Sequence, residues 1–168
     1  MKKTIQLLNE LEKQGIISRY VIAGGVAALF YMEPVLTYDL DVFCILPAMK
    51  SDIVQLSPIY EWLKERGYES QAEHVMIEGV PVQFIPAYNE LVEEAVKEAK
   101  DVRYEDEPTR VPQAEHLIAI MLDTGRPKDR ERITMMLDEA DIDARLLEEI
   151  VERYGLQEKW RKYKGGAV

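Results

Sequence analysis

Asp39 and Asp41 stand two positions apart around an apolar run, Leu40-Asp41-Val42-Phe43-Cys44-Ile45-Leu46, that ends at Pro47. The length of this run and its β-branched and aromatic content predict a strand. Side chains i and i+2 of a strand share a face, with Cα atoms about 6.5 to 7 Å apart, so the two acids converge on one side. A bland reading, two acids on a solvent-facing strand, fits less well. Asp is depleted in strands, and like charges on one face repel unless a cation or a basic partner lies between them. Upstream, Arg19-Tyr20-Val21-Ile22-Ala23 predicts another strand, and Gly24-Gly25 then opens an Ala-rich helical segment. Glycines there let backbone N–H groups meet an anion with no side chain in the way. Without the aspartates downstream, an ordinary tight turn would be the better reading of the pair. A phosphate-binding turn beside a metal-ready carboxylate pair points to nucleotide chemistry.

Around these residues the pattern alternates strand and helix before turning wholly helical. Residues 3–14 carry Ile5, Leu7, Leu8 and Leu11 at near-helical spacing and stop at Gly15. Strand 19–23, helix 25–33 and strand 38–46 follow. Residues 51–66 hold a helical stripe of Ile53, Leu56, Ile59, Tyr60 and Leu63, in which Pro58 either interrupts the helix or restarts it as a first-turn proline. A hairpin is predicted from 73–78 to 80–85 with its turn near Gly79, and Pro81 should lie at a strand start or an edge because it cannot donate to a ladder. Helix 88–99 precedes a charged connector from Asp101 to Arg110. Helices are predicted over 113–123, 127–139, 143–154 and 156–163. This order implies an α+β fold, a small mixed β-sheet flanked by helices, with residues 1–110 as an αβ core and 111–168 as a helical C-terminal segment packed on it.

The 168 residues, 47% hydrophobic and 31% charged, suit an ordinary globular chain with a proper core. No run approaches the roughly 18 apolar residues of a membrane span, and Met1-Lys2-Lys3 leads into a Leu/Glu pattern instead of a secretory signal, so no membrane association and a cytoplasmic location are expected. Cys44, the one cysteine, reads as a small buried hydrophobe without a nucleophilic role. His74 and His116 lack metal-ligand spacing, and Met76, Met121, Met135 and Met136 read as core filling. Net charge is −10, from 21 basic against 31 acidic residues. Such a field repels nucleic acid unless a local basic patch intervenes. The candidates are Arg126 to Arg132 and the tail Lys159 to Lys164, the latter better read as a solvated helix end.

Gly24-Gly25, a gap of thirteen residues, then Asp39-Leu40-Asp41 resembles the signature of the polymerase β-like nucleotidyltransferase superfamily. Downstream, Glu115-His116-Leu117-Ile118-Ala119-Ile120 and Thr124-Gly125-Arg126-Pro127-Lys128-Asp129 resemble the helical segment of its small bacterial branch, which includes the type IV toxin-antitoxin nucleotidyltransferase toxins. The resemblance implies the minimal nucleotidyltransferase fold. It implies that Asp39 and Asp41 ligate Mg²⁺ and carry catalysis, and that Gly24 and Gly25 cradle a nucleoside triphosphate. Thr37 could contact phosphate or ribose, although a strand-entry threonine reads as well; Tyr38 should pack in the core. Arg126 and Lys128 are candidate phosphate contacts and Asp129 a polar anchor, with solvated basic side chains and helix capping by Asp129 an equal alternative.

Three positions depart from the resembled pattern. Gln83 stands where a third acidic ligand is expected, Met121 where relatives tend to carry a lysine, and Arg132 where an aspartate is often found. Glutamine offers a carbonyl oxygen but no charge and cannot act as a base. Glu73 or Glu78 could substitute. Two functions follow. One is a Mg²⁺-dependent transferase moving a nucleoside monophosphate from a triphosphate to an acceptor hydroxyl on a protein, a tRNA or a small molecule. The other is a catalytically impaired protein of the same fold that binds a nucleotide or a protein partner.

Overall fold

The computed structural model describes residues 1–33, 37, 39–47, 56–71 and 73–166. Helix α1 (Lys2–Lys13) buries Ile5, Leu7, Leu8 and Leu11, the stripe its spacing predicts, and leads to β1 (Arg19–Ile22). A five-residue helix, α2 (Gly24–Ala28), follows. It is shorter than the predicted 25–33 because the chain tightens into i→i+3 bonds, Phe30 N–H to Ala27 O and Tyr31 N–H to Ala28 O, while the Tyr31 hydroxyl donates to Pro112 O at 2.6 Å. Strand β2 (Leu40–Ile45) and helix α3 (Ser57–Glu65) come next, with Pro58 in the first turn of α3. Tyr38 and Ile53 lie outside the described residues.

Two residues form β3 (Ser70–Gln71), and the predicted hairpin is β4 (His74–Ile77) and β5 (Val80–Pro86). Its turn places Glu78 and Gly79 at positive φ. The sheet order is β1-β2-β5-β4-β3, with β2 and β5 parallel and the other pairs antiparallel. Pro81 pairs with β4 and precedes the first β2 partner of β5, Val82, so it sits at the strand start where no β2 bond is forfeited.

After α4 (Glu90–Lys97), capped by Asn89 Oδ1 accepting from Val92 N–H at 2.8 Å, comes a correction. The charged stretch predicted as a connector is a second sheet, β6 (Lys100–Tyr104) paired with β7 (Glu107–Val111) around Glu105 at positive φ. Its outer strand is almost wholly exposed, so no apolar alternation marks it. Its inner strand is tied down by polar groups: Arg110 donates twice to Glu12 at 2.7 Å, and Thr109 lies 3.2 Å from the Tyr20 hydroxyl.

Four helices complete the chain: α5 (Ala114–Thr124), α6 (Pro127–Glu139), α7 (Ala144–Arg153) and α8 (Gln157–Lys164). Every residue of α5 from Ala114 to Leu122 is buried, as its nearly all-apolar sequence requires, and helices α2, α4, α6, α7 and α8 pack against it. Its two buried titratable side chains both meet partners. Glu115 accepts from Asp143 N–H at 2.8 Å, just ahead of α7, and His116 meets Glu94 at 3.0 Å. Helix α5 ends on Gly125 at φ 67, and Pro127 begins α6 two residues later. A left-handed glycine followed by a first-turn proline makes a sharp corner, and it brings the start of α6 to the ends of β1 and β2. Cys44 is buried, and burial pushes its thiol up to about 12. Among the described residues, no helix is long and apolar enough to cross a membrane.

Candidate functional site

At the glycine turn the backbone of α2 passes directly over the Asp41 carboxylate. A β-carbon on Gly24 would fall 2.1 Å from Asp41 Oδ2, and Gly24 has φ +57, so both contact and conformation demand glycine. Ala23 N–H donates to Asp41 O at 2.8 Å, which fixes the turn to β2. A β-carbon on Gly25 would lie 2.7 Å from Arg132 Nη2 and 2.9 Å from Thr37 Oγ1. The Thr37 hydroxyl itself donates to Asp39 O at 3.4 Å. Two glycines thus let two polar clusters close on one turn.

A pocket of about 130 Å³ opens beside this turn, lined by Gly24, Asp41, Gln83 and Arg126 among polar residues and by Phe43, Ile85, Tyr88 and Met121 among apolar ones. Of the site residues expected from sequence, these four polar ones meet in one cavity. Gly25 and Thr37 lie beside it against Arg132, while Asp39 and Lys128 do not line it but act on it by charge. Asp41 titrates above the usual carboxylate range, first because it is buried and next because Asp39 repels it, with Arg126, Lys128 and Arg132 pulling the other way. Asp41 lines the pocket and Asp39 does not; Asp39 reaches Asp41 by charge alone.

The parallel register pairs Asp41 with Gln83, placing that side chain next to the carboxylate on the adjacent strand. Gln83 Nε2 donates to Glu73 Oε2 at 3.3 Å, so its carbonyl oxygen is the atom that can face a cation. Among the described residues, no group of three or more His, Cys, Asp or Glu side chains gathers as a metal site. Two carboxylates with a neutral oxygen donor nevertheless fit Mg²⁺, which takes oxygens and commonly completes its shell with substrate phosphates and water. The crowding of Asp41 Oδ2 against a glycine, with net repulsion from Asp39, is the observation that favours a cation there.

Helix α6 supplies the basic side. Asp129 is fully buried and takes Arg126 Nε at 2.7 Å and Arg126 Nη2 at 3.2 Å. It is a polar anchor, not a cap: its carboxylate holds a guanidinium. Those hydrogen bonds and the charge of Asp41 raise Arg126 above its ordinary value despite burial. Lys128 is exposed.

Sequence reasoning missed Tyr88 and underrated Arg132. Tyr88, 56% exposed, stands edge-on to Phe43 with ring centroids 6.3 Å apart and forms an aromatic wall of the pocket. Nothing in a lone tyrosine ahead of a helix announces that position. Arg132 had a signal, its i, i+3 spacing from Asp129 on the helix already carrying the basic candidates.

No protein-family model matches the chain, and no curated protein matches it at a significant level. Solved structures do. An antigenic nucleotidyltransferase-like protein from Paracoccidioides brasiliensis superposes with a TM-score of 0.59 at 13% identity, over 95% of this chain and 88% of that one. ANT(2'')-Ia in complex with adenylyl-2''-tobramycin gives 0.56 at 13% identity, over 94% and 98%, and the solution structure of the same antibiotic-resistance factor gives 0.51 at 13%, over 99% of each chain. At such identities the likeness is one of fold, and the fold of this chain is that of nucleotidyltransferase-like proteins.

Proposed function

We propose that the protein is a Mg²⁺-dependent nucleotidyltransferase that moves a nucleoside monophosphate from a triphosphate to an acceptor hydroxyl. One observation carries this reading: the Gly24 backbone rests on the Asp41 carboxylate inside a pocket that also holds Gln83 and Arg126. Asp39 and Asp41 would hold the ion, with the Gln83 carbonyl as a third protein oxygen. When bound, Mg²⁺ supplies charge neutralisation and alignment at the reacting phosphate. The chain's own groups do the rest. Gly24 and Gly25 admit phosphate oxygens close to the backbone, Thr37 offers a hydroxyl beside them, and Arg126 and Lys128 give fixed positive charge. Tyr88 and Phe43 present aromatic surface on which a base can stack.

The acceptor oxygen forms a bond to the α-phosphorus while the bond from that phosphorus to the bridging oxygen breaks. Pyrophosphate leaves with the electron pair, and the acceptor proton passes to water. Gln83 also borders a second, wider cavity of about 440 Å³ with Leu56, Tyr60, Ser70, Glu73 and Phe84, which offers the acceptor a place beside Gln83, the strand neighbour of Asp41. A small hydroxylated amine is the first acceptor to try, since a neighbour of the same fold was solved with adenylyl-2''-tobramycin. A protein partner, as in a toxin-antitoxin pair, and a tRNA come next.

The test incubates triphosphates labelled at the α-phosphate with Mg²⁺ and these acceptors. Asp41→Ala should cut transfer about 10³-fold, the scale of losing several kcal/mol of metal-borne stabilisation. Equal transfer by the parent and by Asp39→Ala/Asp41→Ala would remove the site.

A further inference from the structure

Arg132 is the most deeply placed cation of the site, its side chain only 11% exposed, yet among the described residues it has no close carboxylate. Among the described residues its ion-pair partner is Asp129, whose Oδ1 lies 3.7 Å from Arg132 Nη1, beyond hydrogen-bond reach, because Asp129 spends its short contacts on Arg126. The other end of the guanidinium, Nη2, is turned to Gly25 and Thr37. A nearly buried guanidinium without a close anion is costly, and the arrangement persists only where something else supplies the counter-charge.

We infer that Arg132 binds the terminal phosphates of the triphosphate and then the departing pyrophosphate, and that Asp129 is the positioning residue that aims it together with Arg126. This deepens, and rests on, the transfer reading above. Asp129 on α6 has an arginine three residues before it and another three residues after it, so one buried carboxylate spaces two guanidiniums on one helix face toward the glycine turn. The charge count agrees. Where three acids would hold metal, this site sets Asp39, Asp41 and neutral Gln83 against Arg126, Lys128 and Arg132, which favours polyanionic substrate groups over a second cation. Negative charge grows on the bridging oxygen and the leaving pyrophosphate as the bond to the α-phosphorus breaks. A guanidinium accepts that charge through paired N–H donors without giving up a proton.

Inorganic pyrophosphate is the probe, because it needs no knowledge of the base. Its affinity in the presence of Mg²⁺ is measured by titration calorimetry on the full chain, with circular dichroism as the check on folding. Arg132→Gln should weaken pyrophosphate about 10- to 100-fold, the range for charge-assisted bidentate contacts. Arg132→Lys, which keeps the charge and loses the fork, should recover only part of that and serves if the glutamine variant does not fold. Asp129→Asn should weaken pyrophosphate and raise the triphosphate KM more than it lowers kcat. Binding of AMP, GMP, CMP and UMP, assayed in parallel, should not change in either Arg132 variant. Arg145→Gln, a remote exposed arginine paired with Glu149, controls for the same change in net charge. A folded Arg132→Gln that binds pyrophosphate within twofold of the parent, while the parent transfers label, overturns this role and leaves the transfer reading intact. A parent that binds neither pyrophosphate nor triphosphate overturns both.

Discussion

Two ionic clusters sit on helices packed around α5, and they follow different rules. In one, Glu94 of α4 is met by His116 Nε2 at 3.0 Å, Arg153 Nη1 at 2.5 Å and the Tyr154 hydroxyl, so a single carboxylate gathers donors from α5 and from the end of α7. Burial alone would raise it, but hydrogen bonds from Tyr154, His116 and Arg153 outweigh that and hold Glu94 at about 2. In the other cluster Asp41 is pushed upward by burial and by Asp39, and Arg132 stands near the glycine turn with no close anion among the described residues. In the first cluster the Glu94 carboxylate is satisfied within the chain, while His116 Nδ1 lies buried without a hydrogen-bond partner among the described residues; in the second, on the function proposed above, a ligand would supply the missing charge. The contrast proposed is between a carboxylate whose donors hold helices together and one whose unbalanced charge beside a pocket would serve binding.

The sharpest way to break this contrast is at Gly24. Gly24→Ala puts a β-carbon 2.1 Å from Asp41 Oδ2 at a φ of +57. It should cost about 1 to 2 kcal/mol of stability from the left-handed backbone alone and lower transfer at least about 10²-fold by displacing the carboxylate. Near-parental turnover of Gly24→Ala would mean that the turn and Asp41 do not act as a unit.

Glu94→Ala tests the closed cluster. It should destabilise the fold by about 2 kcal/mol, between the values for exposed and buried pairs, and leave the triphosphate KM unchanged. Its pH signature follows from the sign of the shift. A carboxylate depressed in the folded state to about 2 from its ordinary 4.5 contributes stability that is complete above 4.5 and lost as pH falls through 2. Denaturant midpoints measured from pH 6 to pH 2 should fall more steeply for the parent than for Glu94→Ala, by on the order of 1 kcal/mol after solvent screening. Parallel curves would show that Glu94 contributes no such term.

The smallest effect carries the opposite sign. Because the folded state disfavours ionised Asp41, its penalty grows as pH rises and is complete above the folded value. Asp41→Asn should therefore melt about 2 °C higher than the parent at pH 8 without Mg²⁺, while added Mg²⁺ should raise the parent and not the variant. A lower melting point for Asp41→Asn would place that carboxylate among the structural charges.

Much of the fold could be read from the sequence, because the signals were short-ranged. Gly15, Gly125 and Pro127 marked helix ends, and the run through Val42, Phe43 and Cys44 marked the central strand. The β6–β7 hairpin could not be read, since it is held by Arg110 to Glu12 and Thr109 to Tyr20, pairings about 90 or more residues apart that leave no local pattern. The site divides the same way. Gly24 and Asp41 stood out by residue type and spacing, Gln83 and Arg126 through the resemblance, and the four line one pocket. Tyr88 was not, because its place depends on how α4 leaves β5, and Arg132 passed as a mere departure until the turn at Gly25 was found against it. Spacing along one element survives in sequence; proximity between elements does not.

The most direct test of the open cluster is a crystal structure grown with Mn²⁺ in place of Mg²⁺ and a triphosphate that cannot be cleaved between its α- and β-phosphates. An anomalous peak is expected at coordination distance from Asp41, with the phosphates running along Gly24 and Gly25 to Arg132. A triphosphate seated elsewhere on the molecule, with Asp41 still facing only the glycine backbone, would contradict it.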